Sequence, residues 1–309
     1  ANWLNYSVTG AFALPAGGSV LVRTPVTNDT TSDNNETFTL TATPAGGQAA
    51  SGTCTIKDDG TGTIYNPNGT VNPTAVPDDD RAVAVTSPTV NEASPYAVFT
   101  VTGTAGQTTS LALTAGTATG GGTDFGSATA TLNLQYSVDG GANWLNYSTT
   151  GAFSLPAGGS VLVRTPVVND TTSDNNETFT LTATPAGGQA ASGTCTIKDD
   201  GTGTIYNPNG TVNPTAVPDD DRAVAVTSPT VNEASPYAVF TVTGTAGQTT
   251  SLALTAGTAT GGGTDFGSAT ATLNLQYSVD GGANWLNYST TGAFALPAGG
   301  SVLVRTPVV

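Results

Sequence analysis

Short runs in which apolar and polar residues exchange at every step dominate this chain. In Thr178-Phe179-Thr180-Leu181-Thr182-Ala183 and Ala97-Val98-Phe99-Thr100-Val101 the alternation puts one face of an extended strand on a core and the other in water. The same pattern marks strands at residues 82–85, 110–113, 131–136, 161–164 and 194–197, about seven strands between residues 81 and 200. Turn chemistry separates them, as at Gly120-Gly121-Gly122, Asp139-Gly140-Gly141, Pro156 to Gly159 and Pro185 to Gly188. Seven short strands in a stretch of this size predict an all-β, antiparallel sandwich of the immunoglobulin kind.

The pattern repeats. Ala1-Asn2-Trp3-Leu4-Asn5-Tyr6 returns at Ala142 and at Ala283, a period of 141 residues, and the first two periods differ only at Val8/Thr149, Ala13/Ser154 and Thr27/Val168. Copies this faithful suit a product that is length, each unit doing the same mechanical job as its neighbour. Between Asp200 and Arg222 the alternation fades into Tyr206-Asn207-Pro208-Asn209-Gly210 and Asn213 to Pro218, which reads as a linker. The expected layout is then the C-terminal half of a first sandwich at 1–60, a linker at 61–80, a complete sandwich at 81–200, a linker at 201–221, and the N-terminal part of a third at 222–309. Half-sandwiches expose unpaired strands, so neighbouring sequence or neighbouring chains are expected to complete them.

Composition narrows the function. Among 309 residues there are 39 Gly, 18 Pro, no Met and no His, and the net charge is −15. Seven cations argue against nucleic acid or an anionic membrane as partner, and no apolar run is long enough to cross a bilayer. Each period holds one cysteine, Cys54 or Cys195, on the same strand face as Ile56 or Ile197, which predicts a buried core thiol.

The acids are not scattered. Of the eleven in the period 81–221, ten fall at segment ends: Glu92, Asp124, Asp170, Asp174, Glu177, Asp199, Asp200, Asp219, Asp220 and Asp221, with Asp139 the exception. Asp is common in turns, and solvated turn acids are the plain alternative. Loop ends that converge on one pole of a sandwich would however crowd carboxylates, which resist ionisation unless a hard cation neutralises them. Calcium, with six to eight oxygen ligands in flexible geometry, fits that need. The equivalent candidates in the flanking units are Asp29, Asp33, Glu36, Asp58, Asp59, Asp78, Asp79, Asp80, Glu233 and Asp265.

Four separated motifs, Thr117 to Phe125, Val168-Asn169-Asp170, Asn176-Glu177-Thr178-Phe179 and Thr196-Ile197-Lys198-Asp199-Asp200, resemble the Calx-beta module across residues 81–200. The resemblance implies an immunoglobulin-like sandwich binding calcium at one end through Glu92, Asp124, Asp170, Asp174, Glu177, Asp199 and Asp200. Asn169 and Gly201 stand where the family often has a further acid. The tandem copies also resemble extender regions of very large bacterial surface adhesins exported by type I secretion (RTX-like), which implies calcium-stiffened stalks outside the cell, partnered by repeats or chains of the same polymer.

Rival motifs point elsewhere. Ser137-Val138-Asp139-Gly140-Gly141-Ala142-Asn143-Trp144 matches the Asp-box of sialidase-type propellers, but recurs only every 141 residues, and a tight hairpin explains it better. Tyr136, Trp144 and Tyr147 could form a glycan platform, although core packing is the commoner fate of such residues. With no His and no paired carboxylates in an aromatic cleft, hydrolase chemistry finds little support. The expected function is a non-enzymatic extracellular spacer or fibre element stiffened by calcium. The alternatives are a glycan- or cell-binding module, or a filament subunit completed by neighbouring chains.

Overall fold

The computed structural model describes residues 3–7, 10–129, 133–148, 151–289 and 292–309. A first unit contributes one hairpin, β1 (Glu36–Ala42) with β2 (Ala50–Ile56). The central unit holds β3 (Ala84–Val85), β4 (Thr89–Asn91), β5 (Tyr96–Thr102), β6 (Thr108–Ala115), β7 (Gln135–Ser137), β8 (Leu145–Asn146), β9 (Phe153–Ser154), β10 (Ser160–Pro166), β11 (Glu177–Pro185) and β12 (Ala191–Lys198). The third unit holds β13 (Ala225–Val226), β14 (Tyr237–Thr243), β15 (Thr249–Thr250), β16 (Gln276–Ser278), β17 (Leu286–Asn287), β18 (Phe294–Ala295) and β19 (Ser301–Pro307).

Two five-stranded sheets make the central sandwich, in the orders β3-β5-β10-β7-β8 and β4-β12-β11-β6-β9. All pairings are antiparallel except β4 with β12. The chain is built of tandem immunoglobulin-like sandwiches. All seven expected strands are found in the central unit; β4, β8 and β9 are added to them. Residues 131 and 132, at the start of one expected strand, lie outside the described residues.

The alternation becomes the core. On β11 the side chains of Phe179, Leu181 and Ala183 are fully buried. On its outer face Thr180 and Thr182 meet Thr194 and Ser192 of β12 through hydroxyl hydrogen bonds of 3.2 and 2.8 Å. Phe179 joins the two sheets, edge-on to Phe99 at 5.9 Å and stacked on Phe125 at 4.2 Å. Cys195 is buried beside it, and burial pushes its thiol up, away from the reactive thiolate. Cys54, expected to be buried likewise, is exposed. Among the described residues of the first unit no sheet opposes its hairpin, so the face that carries Cys195 inward in the central unit here meets water.

Residues 201–221, expected as a linker, continue onto the sandwich rather than hanging from it. Thr204 bridges to Val90, Ile205 is buried, and Tyr206 bridges to Val212 to form a small hairpin. Arg164 pins that hairpin down. Its guanidinium lies 3.9 Å from the Tyr96 ring and 4.0 Å from the Trp144 ring, Nε donates to Gln135 Oε1 at 2.8 Å, and a terminal nitrogen donates to the Pro208 carbonyl. The arrangement recurs: Arg23 stacks on Trp3 and donates to the Pro67 carbonyl, and Arg305 lies between Tyr237 and Trp285. Cation–π contacts of this kind contribute about 1–2 kcal/mol when desolvated. Arg164→Leu should therefore destabilise the central unit by about 1–3 kcal/mol, counting the orphaned Pro208 carbonyl. Calorimetric unfolding checks this, and the 207–212 hairpin should become protease-sensitive in the same variant.

Candidate metal centre

The β11–β12 hairpin brings the acids together. Its two ends at one pole are Glu177, which opens β11, and Asp199, which follows β12. Just before Glu177 the backbone turns through Asn176, held at φ 73°, a conformation Asn tolerates better than most residues. The turn lets Asn175 accept from the Asp199 amide at 3.2 Å and donate to Asp200 at 2.8 Å, locking the loop to the strand end. Glu92 arrives at the same pole from the end of β4, and its amide donates to the Lys198 carbonyl at 2.8 Å.

Two carboxylate groups result. Glu92, Asp199, Asp219 and Asp221 can each offer an oxygen lying within 4.8 Å of the others, and so can Asp124, Asp174 and Glu177. Asp58, Asp78 and Asp80 form the corresponding group at the end of the first unit. The first set mixes the sandwich with the following segment, because Asn91 holds them in register. Fully buried, its amide nitrogen donates to the carbonyls of Thr202 and Asp219, and its oxygen accepts from the Asp219 amide at 2.7 Å. The Asp221 amide donates to Asp199 at 3.0 Å. Sequence reasoning did not single out Asn91, whose partner lies 128 residues away.

The electrostatics of these groups are strained. Glu92 is 5% exposed; its Oε1 accepts from the Asp170 amide at 2.9 Å, while Oε2 has no hydrogen-bond partner. One oxygen each of Asp219, Asp221 and Asp80 is likewise buried without a partner. Burial pushes the Glu92 carboxyl up to about 7, with Asp199, Asp170 and Asp174 adding repulsion against the Asp170 amide bond. Glu177 is pushed up to about 7 by burial and by Asp124 and Asp174, and Asp80 to about 6 by burial and by Asp78 and Asp58. Burial is also the leading cause that raises Asp174, Asp199 and Asp221. Buried anionic oxygens that converge without a donor suit a hard cation with oxygen ligands.

The other expected ligands are held elsewhere. Asp220 and Asp79 form 2.6 Å ion pairs with Arg222 and Arg81. Asp200 and Asp59 face Lys198 and Lys57 at 3.7 Å. For Asp200, burial raises the carboxyl, but bonds from Thr202 and Asn175 with the charge of Lys198 outweigh it and the net shift is downward. Asp170 stands beside the first set, positioning Glu92 through its amide. Asp29 and Asp33 border the first unit's group: Asp29 accepts from the Thr31 amide, and the Asp33 amide donates to Asp58. Glu36, Glu233 and Asp265 are exposed. Asp139 is the turn acid of its hairpin, accepting from Ser137 and Asn143, bonds from Asn143 first among the causes that lower it to about 2. The aromatic trio forms no platform. Tyr147 is buried with its hydroxyl accepting from the Leu111 amide, Tyr136 stacks on Phe153, and Trp144 is covered by Arg164.

No protein family and no curated protein matches the chain. Among solved structures it is similar to the apo-form Calx CBD1 domain, at 18% identity and a TM-score of 0.26 over 38% of this chain and 98% of that one. CBD12 from CALX1.2 is similar at 16% identity and a TM-score of 0.28 over 72% of each chain. A tetra-tandem repeat in the extending region of a large adhesion protein is similar at 15% identity and a TM-score of 0.21, over 89% of this chain and 59% of that one. Likenesses this loose say nothing of what this chain binds or does.

Carboxyls held above their ordinary values stabilise the metal-free fold at low pH, and that contribution is lost as pH rises through the folded-state value. For Glu92 the window runs from the ordinary value of 4.5 to about 7. The chelated chain should therefore melt at a lower temperature at pH 8 than at pH 5. Millimolar calcium should remove most of that difference, since the ion takes the place of the protons. Scanning calorimetry across this range checks it; a chelated melting temperature that climbs with pH would refute the electrostatic account.

Proposed function

We propose that this chain is a non-enzymatic extender of an extracellular fibre or adhesin, whose repeats are stiffened by calcium at the joints between sandwiches. One observation carries the reading: the Glu92, Asp199, Asp219 and Asp221 group takes two ligands from the sandwich and two from the segment leading to the next unit. A cation there ties the joint to the pole. Without it, like charges face one another and the joint loosens.

The first joint supports the same reading. The Asp79 amide donates to the Ala186 carbonyl at 2.8 Å and Asp79 bridges to Gly187, so the segment that carries Asp78 and Asp80 also pairs with the central sandwich. Gly187, at φ 86°, leaves no room for a Cβ, which would meet the Asp78 carboxylate. Among the described residues no helix is long and apolar enough to cross a membrane. Extracellular calcium modules typically bind at about 10⁻⁴ to 10⁻³ M, which suits stiffening outside the cell.

At a hundredfold excess over Kd, each site should add about 2.7 kcal/mol, or roughly 10 °C in melting temperature for a domain of this size. Solution scattering should show a narrower spread of lengths with calcium than with chelator. Asp219→Asn with Asp221→Asn should keep part of the thermal response, through Asp124, Asp174 and Glu177, and lose the change in scattering. Identical melting and scattering in calcium and chelator would sink the proposal.

A further inference from the structure

The central sandwich has a second end, opposite its acids. It consists of the β11–β12 turn, residues 186–190, and the approach to β6, where Gln107 lies fully buried. A buried amide needs partners for both its oxygen and its nitrogen. The Gln107 oxygen accepts from the Thr104 amide at 3.2 Å, within the sandwich. Its nitrogen serves the segment arriving from the first unit, donating to the Arg81 carbonyl and lying 3.5 Å from Asp79.

That segment divides its acids. Asp78 and Asp80 join Asp58 in the first unit's group, and Asp79 stands outside it. Asp79 is 3% exposed, and its carboxylate is neutralised within the segment by Arg81, which donates to it at 2.7 and 2.6 Å. Its backbone is a rung shared by two sandwiches, bridged to Asp59 on one side and to Gly187 on the other. The Gly60 amide donates to the Asp78 carbonyl at 2.8 Å, and the Asp79 amide to the Ala186 carbonyl at 2.8 Å. The turn fits closely, since the Asp78 carboxylate fills the space a Cβ on Gly187 would need, and a Cβ on Gly188 would lie 2.9 Å from the Asp79 carbonyl oxygen. The grip recurs at the second joint. Gln248, 3% exposed, donates to the Arg222 carbonyl, and the Arg222 nitrogen that pairs with Asp220 also donates to the Asp200 carbonyl at 2.8 Å.

We propose that this second end is a receptor for Asp78-Asp79-Asp80-Arg81, with Gln107 as its positioning residue, and that it couples neighbouring sandwiches. Whatever tightens the acid pole of one sandwich then tightens the far end of the next, and by linkage the reverse holds equally. The receptor works without metal, because Arg81 already neutralises Asp79. The ion's part in the coupling rests on the calcium reading above: an ion held by Asp58, Asp78 and Asp80 would stabilise a sandwich to which none of those three side chains belongs.

Amide hydrogen exchange of the full chain, read residue by residue, tests this. The reporters are Gly60 in the preceding pole, residue 79 in the joint, and Ala186, whose amide donates to the Thr108 carbonyl inside the central unit. Phe179 and Leu181 report on the core. Gln107→Glu puts an acceptor where the donor was, facing the Arg81 carbonyl and the Asp79 carboxylate. Asp79→Ser acts from the joint, outside the core. Each should speed exchange at residue 79 and Gly60 roughly tenfold, the size of an ordinary coupling between sites, and Asp79→Ser should speed Ala186 as well. The core amides should stay slow; if Gln107→Glu loosens them, Asp79→Ser decides alone. Unchanged exchange at Gly60 in Gln107→Glu with its core intact, or at Ala186 in Asp79→Ser, would overturn the coupling. In a separate arm, calcium should slow Gly60 and Ala186 in the native chain, and Asp58→Asn, a change confined to the first unit, should shrink both effects. Slowing at Ala186 that survives Asp58→Asn in full comes from the central unit's own acids and would also overturn the coupling. No slowing at either reporter, with the variant effects intact, would sink the calcium reading and leave the receptor standing.

Discussion

Everything in this repeat depends on the β11–β12 hairpin having a strand on each side. With β6 and β4 in place, Phe179, Leu181 and Cys195 are dry and the two sheets close on Phe99 and Phe125. The same seating delivers Asp174, Glu177 and Asp199 to the pole, because strand length and register fix where the hairpin's ends come to rest. Core packing and the acid sites are thus two consequences of one ladder. In the first unit β1 and β2 turn their apolar face to water, although Asp58, Asp78 and Asp80 still come together, and in the third unit Glu233 and Asp265 are left exposed.

The pole itself balances two opposed demands. Burial and hydrogen bonding by Asn91 and Asn175 hold carboxylates close, while their mutual repulsion and partnerless oxygens work to separate them. Three neighbouring acids, Asp79, Asp200 and Asp220, escape this tension by pairing with Arg81, Lys198 and Arg222. These cations are thereby kept out of the acid groups, which keep their unbalanced negative charge.

Long alternating strands were legible in the sequence because each carries at least two periods of the pattern. The strands it missed, β4, β8 and β9, are two or three residues long and contain barely one. The acids were legible as strand-end residues, but not which member of each run would turn inward. Asp199 and Asp200, or Asp219, Asp220 and Asp221, look alike as letters; successive side chains on extended backbone point opposite ways, and only one set meets Glu92. The expectation for Cys54 failed for a different reason, since face parity says which side a residue is on and not whether anything covers that side. Arg164 and Asn91 were invisible because their decisive contacts lie 44 and 128 residues away.

The clamp that Arg164 places on the Pro208 carbonyl also bears on how load passes along the chain. A tether of twenty unstructured residues would act as slack, paying out length at low force before any sandwich felt the pull. Here residues 204–212 are bridged to β4 and held against the sheet by a guanidinium between two rings. In a chain under tension, a pull on this segment would pass sideways into the sheet as shear across backbone hydrogen bonds. On the extender reading proposed above, each repeat would then add a fixed increment of reach, as a joined strut rather than a bead on elastic.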